Sequence, residues 1–160
     1  MNEVLEAGGT VAGTSAGAAA MPETMLIAGP GDESNEISAL GMAPGLGLIK
    51  NVVIDTHFAE RGRMGRLLGA VTQNPRNLGL GIDEDTAVLV EDAANFRVIG
   101  SGAVYVVDGS GVSWSSLSEK SPEGILCVYD VKLHVLGANA SYDLVSRQPI
   151  VPADDQQTPA

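Results

Sequence analysis

Apolar residues recur along this chain at distinct spacings, and each spacing predicts a different element. The clearest set is Met64, Leu67, Leu68 and Val71, an i, i+3, i+4, i+7 stripe within the span 59–71. That is the mark of an amphipathic helix with one buried face. Gln73-Asn74-Pro75 ends it, because proline lacks a backbone N–H and biases the preceding residue away from helix. Ahead of the helix runs Leu46-Gly47-Leu48-Ile49-Lys50-Asn51-Val52-Val53-Ile54, a strand-like stretch that leads into Asp55-Thr56-His57-Phe58. Behind it, Leu80-Gly81-Ile82, Thr86 to Val90, Phe96 to Ile99 and Ala103 to Val107 predict strands, separated by the acidic turn Asp83-Glu84-Asp85 and by Asp108-Gly109-Ser110-Gly111. Ile125 to Leu136 alternates as one long strand. The stretch from Pro22 to Pro44, rich in Gly, Pro and acids, reads as a loop with one short strand near Met25-Leu26-Ile27; its acids Asp32, Glu33 and Glu36 read as solvated surface. Ser113 to Glu123 is a polar connection. Residues 148–160 read as a disordered, Pro-rich tail, leaving 1–147 for the folded portion. The first part therefore predicts an α/β arrangement, and the second an antiparallel, hairpin-like one.

The N-terminal pattern is unusual. Met1 to Ala7 reads as the end of a helix closed by Gly8-Gly9, and a β-rich run, Gly9-Thr10-Val11-Ala12, follows at once. It enters Gly13-Thr14-Ser15-Ala16-Gly17-Ala18, from which the helix-favouring run Ala16 to Met21 departs. Strand, sharp turn and helix with a serine at the corner make the G-x-S-x-G nucleophile elbow. Small neighbours suit so tight a turn, and the Ala16 N–H at a helix start points where an oxyanion would form. A glycine-rich turn that binds a phosphate, or nothing, fits the hexapeptide as well. An elbow strand normally sits mid-sheet, with neighbours from earlier βα units. Almost nothing precedes this one, so the chain reads as the second half of a domain.

Charge and composition narrow the partners. A chain of 160 residues is one domain or part of one. Its formal net charge of −11 argues against nucleic acid and anionic membrane, and favours a cationic partner. The single cysteine, Cys127, excludes a disulfide framework and is expected to be a buried structural thiol. There is no transmembrane run and no secretory leader pattern. The expected compartment is the cytoplasm, with a secreted form left open because Met1 reads as internal.

Against that acidic background, Arg61, Arg63, Arg66 and Arg76 crowd around the predicted helix. Arg63 and Arg66, spaced i, i+3, share a face. They are either a solvated face that offsets the acids or an anion pocket beside His57. A serine nucleophile needs a base, and the base an orienting acid. His134 lies inside an alternating strand run, where a packed or edge-strand histidine is the plainer reading. His57 ends a strand, where α/β sheets place their sites. Asp83, Glu84 and Asp85 are equal candidates for the acid by sequence alone.

The hexapeptide at 13–18, Asp55-Thr56-His57-Phe58 with Arg61, Arg63 and Gly65-Arg66-Leu67, and Gly81-Ile82-Asp83-Glu84-Asp85-Thr86-Ala87 together resemble the cyanophycinases. These belong to a serine-peptidase family that also contains the aspartyl dipeptidase called peptidase E. Val104-Tyr105-Val106-Val107-Asp108-Gly109 and Asp130 to Leu136 extend the likeness over about residues 8–145. The resemblance implies a Rossmann-like, three-layer α/β sandwich similar to class I glutamine amidotransferases, here without its N-terminal strands. It implies Ser15 as nucleophile, His57 as general base and acid, Glu84 as orienting acid and the Ala16 N–H as oxyanion donor. Asp55, Thr56, Arg61, Arg63 and Arg66 match substrate-pocket positions. The implied substrate is cyanophycin, a poly-aspartate backbone with arginine on its side-chain carboxyls, cut to β-Asp-Arg dipeptides. No cofactor or metal is implied, and the complete protein would be a homodimer. Thr56 stands where these enzymes commonly have glutamine, so one polar contact to substrate differs. The absent half would carry a second oxyanion donor and a pocket glutamine. Two other readings remain: a different serine hydrolase, such as an α-aspartyl dipeptidase or an esterase, and an inactive fragment that acts by association. An esterase needs no arginine cluster beside its histidine.

Overall fold

The computed structural model describes residues 1–28, 40–117 and 125–151. Its centre is a four-stranded sheet in the order β10-β7-β4-β3. Strands β3 (Val52–Thr56) and β4 (Leu78–Ile82) are parallel and joined by helix α3 (Met64–Gln73). Strand β7 (Val104–Asp108) runs antiparallel to β4, and β10 (Lys132–Leu136) antiparallel to β7. The predicted stripe is the face that α3 buries. Leu67 and Val71 are almost wholly enclosed with Val53, Phe58 and Val107, while Met64 and Leu68 flank them. Strand β4 shows glycine to this face for a steric reason. A Cβ at Gly79 would lie 2.9 Å from the Leu67 side chain, and one at Gly81 2.5 Å from the Phe58 ring. The absent side chains let α3 and Phe58 close directly onto the strand.

The alternate residues of the same strands face the other way. Val52, Ile54, Leu78, Leu80, Ile82, Val104, Val106 and Leu136 pack against Phe96, Val98 and Tyr142. The latter belong to a second four-stranded sheet, in the order β12-β11-β6-β5. It is made of β5 (Thr86–Glu91), β6 (Asn95–Gly100), β11 (Ser141–Asp143) and β12 (Gln148–Ile150), all antiparallel. The mixed α/β first portion and antiparallel second portion agree with the sequence pattern. No helix among the described residues is long and apolar enough to cross a membrane.

Several boundaries differ from expectation. Of Leu46 to Ile54, only the end is strand; left-handed backbone at Gly47 (φ 70°) and Asn51 (φ 56°) turns the chain before Val52. Inside the expected loop, β1 (Thr24–Ala28) pairs with β2 (Gly41–Pro44), and Leu26 joins the core below α3. Residues 58–63 form turns, with Gly62 at φ 57°, so the helix begins later than predicted. Asp130, at φ 62°, breaks the long predicted strand into β9 (Val128–Tyr129) and β10. Among the described residues, strand β9 pairs with β8 (Trp114–Ser115) in a two-stranded ribbon, and Cys127 is exposed rather than buried. Gln148–Ile150, expected to open a disordered tail, is strand β12; the ladder with β11 takes up its backbone. Asp32, Glu33 and Glu36, much of the polar connection after Leu117, and the chain beyond 151 lie outside the described residues.

At the N-terminus, α1 (Asn2–Glu6) ends as its glycines predict. Gly8 is left-handed at φ 79°, and the Gly8 and Gly9 N–H groups donate to Leu5 O and Val4 O. That is the Schellman cap. The run before the elbow, Gly9 to Ala12, is not a strand: among the described residues it makes no ladder.

Candidate active site

The elbow is a sharp turn. Ser15 has φ 49° and ψ −119°, a region that L-residues enter only under constraint, and it stands at the N-cap position of the short helix α2 (Ala16–Ala19) without a side-chain capping bond. Gly13 is required there, since a Cβ would meet the Gly17 backbone at 2.8 Å, whereas one at Gly17 would meet nothing within 4 Å. The Gly17 N–H donates to Thr14 O, while the Ala16 N–H takes no backbone acceptor among the described residues. Ser15 itself is exposed.

His57 follows the last residue of β3 and is also left-handed, at φ 50°. This turn brings the ring out of the sheet toward the elbow. Its Nε2 lies 2.9 Å from Ser15 Oγ, and its Nδ1 2.8 Å from Glu84 Oε1. Ser15, His57 and Glu84 thus form a continuous relay across 70 residues of chain, from a turn after the N-terminal helix to the β4–β5 turn. Both distances are within hydrogen-bond reach for a nucleophile, base and orienting acid.

The structure separates the rival acids. Asp83 turns back into the fold, accepting the Ala59 N–H on Oδ1 (2.9 Å) and the Ala103 N–H on Oδ2 (3.1 Å). Asp85 occupies the left-handed turn position at φ 50°. Only Glu84 meets His57. Glu60 also enters the site, accepting the Glu84 N–H on Oε1 at 3.1 Å. No sequence pattern marks Glu60, because the contact joins two exposed turns.

The basic cluster is organised around Asp55. This carboxylate is 1% exposed. Its Oδ1 accepts from Arg63 Nη1 at 3.0 Å, Arg66 Nη2 at 2.5 Å and the Thr56 N–H at 3.0 Å; its Oδ2 accepts from Arg66 Nε at 2.6 Å. Arg63 Nη1 also reaches Thr56 O at 2.6 Å. Asp55 therefore holds the arginines and offers no free surface of its own. Two guanidiniums against one carboxylate leave an excess positive charge, and Arg63 Nη2 and Arg66 Nη1 donate to no described residue. Arg61 is exposed, with no ion pair among the described residues. Arg76 stands apart, its carbonyl accepting from Arg147 beside Asp108. His134 is half-buried against Tyr142, away from the relay, as a packed histidine.

A strained elbow serine, a histidine at a strand end and a carboxylate on its far nitrogen form the arrangement of serine-type hydrolases. The chain belongs to peptidase family S51, whose family model matches residues 1–98. It is 40% identical over 141 residues to a cyanophycinase of Geminocystis herdmanii, a match that covers 88% of this chain and 52% of that protein. Cyanophycinases of Synechococcus elongatus (37% over 147 residues; 92% and 46%) and Trichormus variabilis (40% over 144 residues; 90% and 48%) are similar. The chain spans about half the length of these curated relatives.

Proposed function

We propose that this chain carries the catalytic residues of a cyanophycinase-like serine exopeptidase, which cuts the poly-aspartate backbone of cyanophycin to β-Asp-Arg dipeptides. The observation that carries the reading is the Ser15–His57–Glu84 relay, at 2.9 and 2.8 Å. The names of the relatives supply the substrate. In this reading Ser15 Oγ attacks the backbone carbonyl while His57 Nε2 takes its proton. Glu84 orients the ring and stabilises the imidazolium. The Ala16 N–H donates to the oxyanion, and His57 then protonates the leaving amine. Water, deprotonated by His57, releases the acyl group from Ser15. The excess positive charge at Arg63 and Arg66, with Arg61 nearby in sequence, grips a carboxylate at the chain end, which makes the cleavage exo. The acidic surface suits a substrate dense in guanidinium groups.

Finer parts of the reading rest on the family. They are a Rossmann-like sandwich completed by strands beside β3, a second oxyanion donor contributed from outside residues 1–160, a homodimer, and a cytoplasmic setting. Edge strand β3 and the unpaired run before the elbow support the first. Losing one oxyanion donor costs about 2.7–4 kcal/mol, so turnover by residues 1–160 alone should be weak.

The test assays dipeptide release from cyanophycin by residues 1–160, alone and mixed with the remaining half of a cyanophycinase. Release that needs the mixture and vanishes with Ser15→Ala is expected. A Ser15→Ala chain as active as the unaltered one would overturn the nucleophile assignment. Release of free arginine in place of dipeptide would overturn the backbone cleavage.

A further inference from the structure

Two turns must hold still for the relay to exist, the one after β3 with His57 and the one after β4 with Glu84. Both side chains are partly solvent-exposed, at 28% and 55%. Core packing therefore does not locate them directly. What joins the turns is a set of hydrogen bonds in which Asp83 is the hub. Its Oδ1 accepts the N–H of Ala59, two residues after His57, and its Oδ2 accepts the N–H of Ala103, at the foot of β7. Its own N–H donates to Ala103 O. Glu60, from the histidine turn, accepts the Glu84 N–H. Thr86 Oγ1 closes the other side, donating to Glu84 O and accepting the Gly102 N–H. A Cβ at Gly102 would lie 2.6 Å from Thr86 Oγ1 and 2.9 Å from Asp83 Cβ, so the clasp closes only over glycine.

We infer that Asp83 and Glu60 are positioning residues of the hydrolytic site, acting through the His57–Glu84 contact. The acids of the 83–85 turn then divide the work: Asp83 ties the turns to each other and to β7, Glu84 faces the imidazole, and Asp85 takes the left-handed corner. A carboxylate at 83 matters because it offers two accepting oxygens to two N–H groups from different elements. Asparagine has one, and its NH₂ would face a second donor. At 60 only one oxygen is used, so glutamine keeps the bond. This inference rests on the Ser15–His57–Glu84 reading, and its test separates the two.

The experiment uses the full chain, alone or with the complementing half, whichever is reactive. The labelling rate of Ser15 by a fluorophosphonate is measured beside the downfield proton NMR signal of the His57 Nδ1–H. Asp83→Asn should slow labelling by about 10- to 100-fold, the size of one charged hydrogen bond, and should weaken or broaden the proton signal below the melting range. Glu60→Ala should slow labelling by about threefold or more with an unchanged melting midpoint, and Glu60→Gln should restore it. Asp85→Asn serves as the control and should change neither readout. A Ser15 that does not label in the unaltered protein defeats the hydrolase reading, and the proton signal then judges the clasp alone. An Asp83→Asn chain that keeps both the signal and the rate overturns the inference. Should Asp83→Asn fail to fold, the Glu60 pair decides: equal rates for Glu60→Ala and the unaltered chain overturn it.

Discussion

From Thr10 to Gly17, the stretch that carries Ser15, the proposed nucleophile, every residue but Val11 is exposed, whereas the strands behind His57 and Glu84 are enclosed on both faces. Val53, Leu67 and Leu80 have no accessible surface, and Val52, Val71 and Leu78 retain 1%. The elbow keeps its shape by local backbone geometry, a strained serine over a required glycine. His57 and Glu84 inherit their place from a packed α3–β3–β4 wall through two turns clasped by carboxylates. Among the described residues, the side-chain hydrogen bond from Ser15 Oγ to His57 Nε2 links the two regions. Damage to the arm should therefore remove chemistry and spare the fold, while damage to the wall should do the reverse until the protein melts.

The largest effect should come from the arm. Ser15→Ala should lower turnover by roughly 10⁶-fold, as removal of a triad member does elsewhere. The melting midpoint should stay within about a degree, since the hydroxyl is exposed and surface changes lie within about ±0.5 kcal/mol. A large loss of stability would mean that the arm is part of the wall after all.

Next come substitutions that strip the wall's buried charge pair. Among the described residues, Arg66→Met leaves Asp55, 1% exposed, with Arg63 as its remaining cationic partner. Uncompensated buried charge costs about 3–5 kcal/mol, and Arg63 should keep the loss near the lower end. Chemical denaturation measures it. Substrate binding should weaken in parallel, more for a β-aspartyl-arginine polymer than for a neutral ester. Equal losses on both substrates would assign the arginines to the fold alone.

Leu67→Ala should cost about 2–5 kcal/mol by opening a cavity between α3 and β4. The Ser15 labelling rate per folded molecule, read well below the melting range, should change far less than with Ser15→Ala. A proportionate loss of both would erase the distinction between arm and wall.

The smallest effect lies at the far end of the sheet. Burial pushes the Asp108 carboxyl up, but hydrogen bonds from Ser110 and the Arg147 guanidinium outweigh it and hold it below its ordinary value of 3.8. A carboxyl depressed in the folded state adds stability above its unfolded pKa and loses it as pH falls through the folded value. Stability should thus drop below about pH 4, and Asp108→Asn should flatten that part of the pH–stability curve. An unchanged acid limb would show that the Asp108 carboxyl contributes nothing there.

What the sequence determined by itself was local. The helical stripe at Met64, Leu67, Leu68 and Val71, the capping glycines after α1, the β5–β6 hairpin, strand β7 and the turn into a helix at Ser15 are all set by spacing and backbone preference over a few residues, and the structure contains each of them. The strand expected before the elbow did not form, because a strand exists by its neighbours and none lies beside Gly9 to Ala12 among the described residues. For the same reason β2 and β12 were hidden in polar stretches, and Cys127, expected to be buried, is exposed beside the two-stranded β8–β9 ribbon. Tertiary structure alone chose among three adjacent acids, since alternation says which way a side chain points only when a sheet continues, and the 83–85 turn leaves it. It alone turned Arg63 and Arg66 inward onto Asp55, which the i, i+3 spacing left equally free to face solvent. Chemistry that depends on one residue's neighbours in sequence can be read from the chain; chemistry that depends on which distant carboxylate arrives at 2.8 Å is decided by packing.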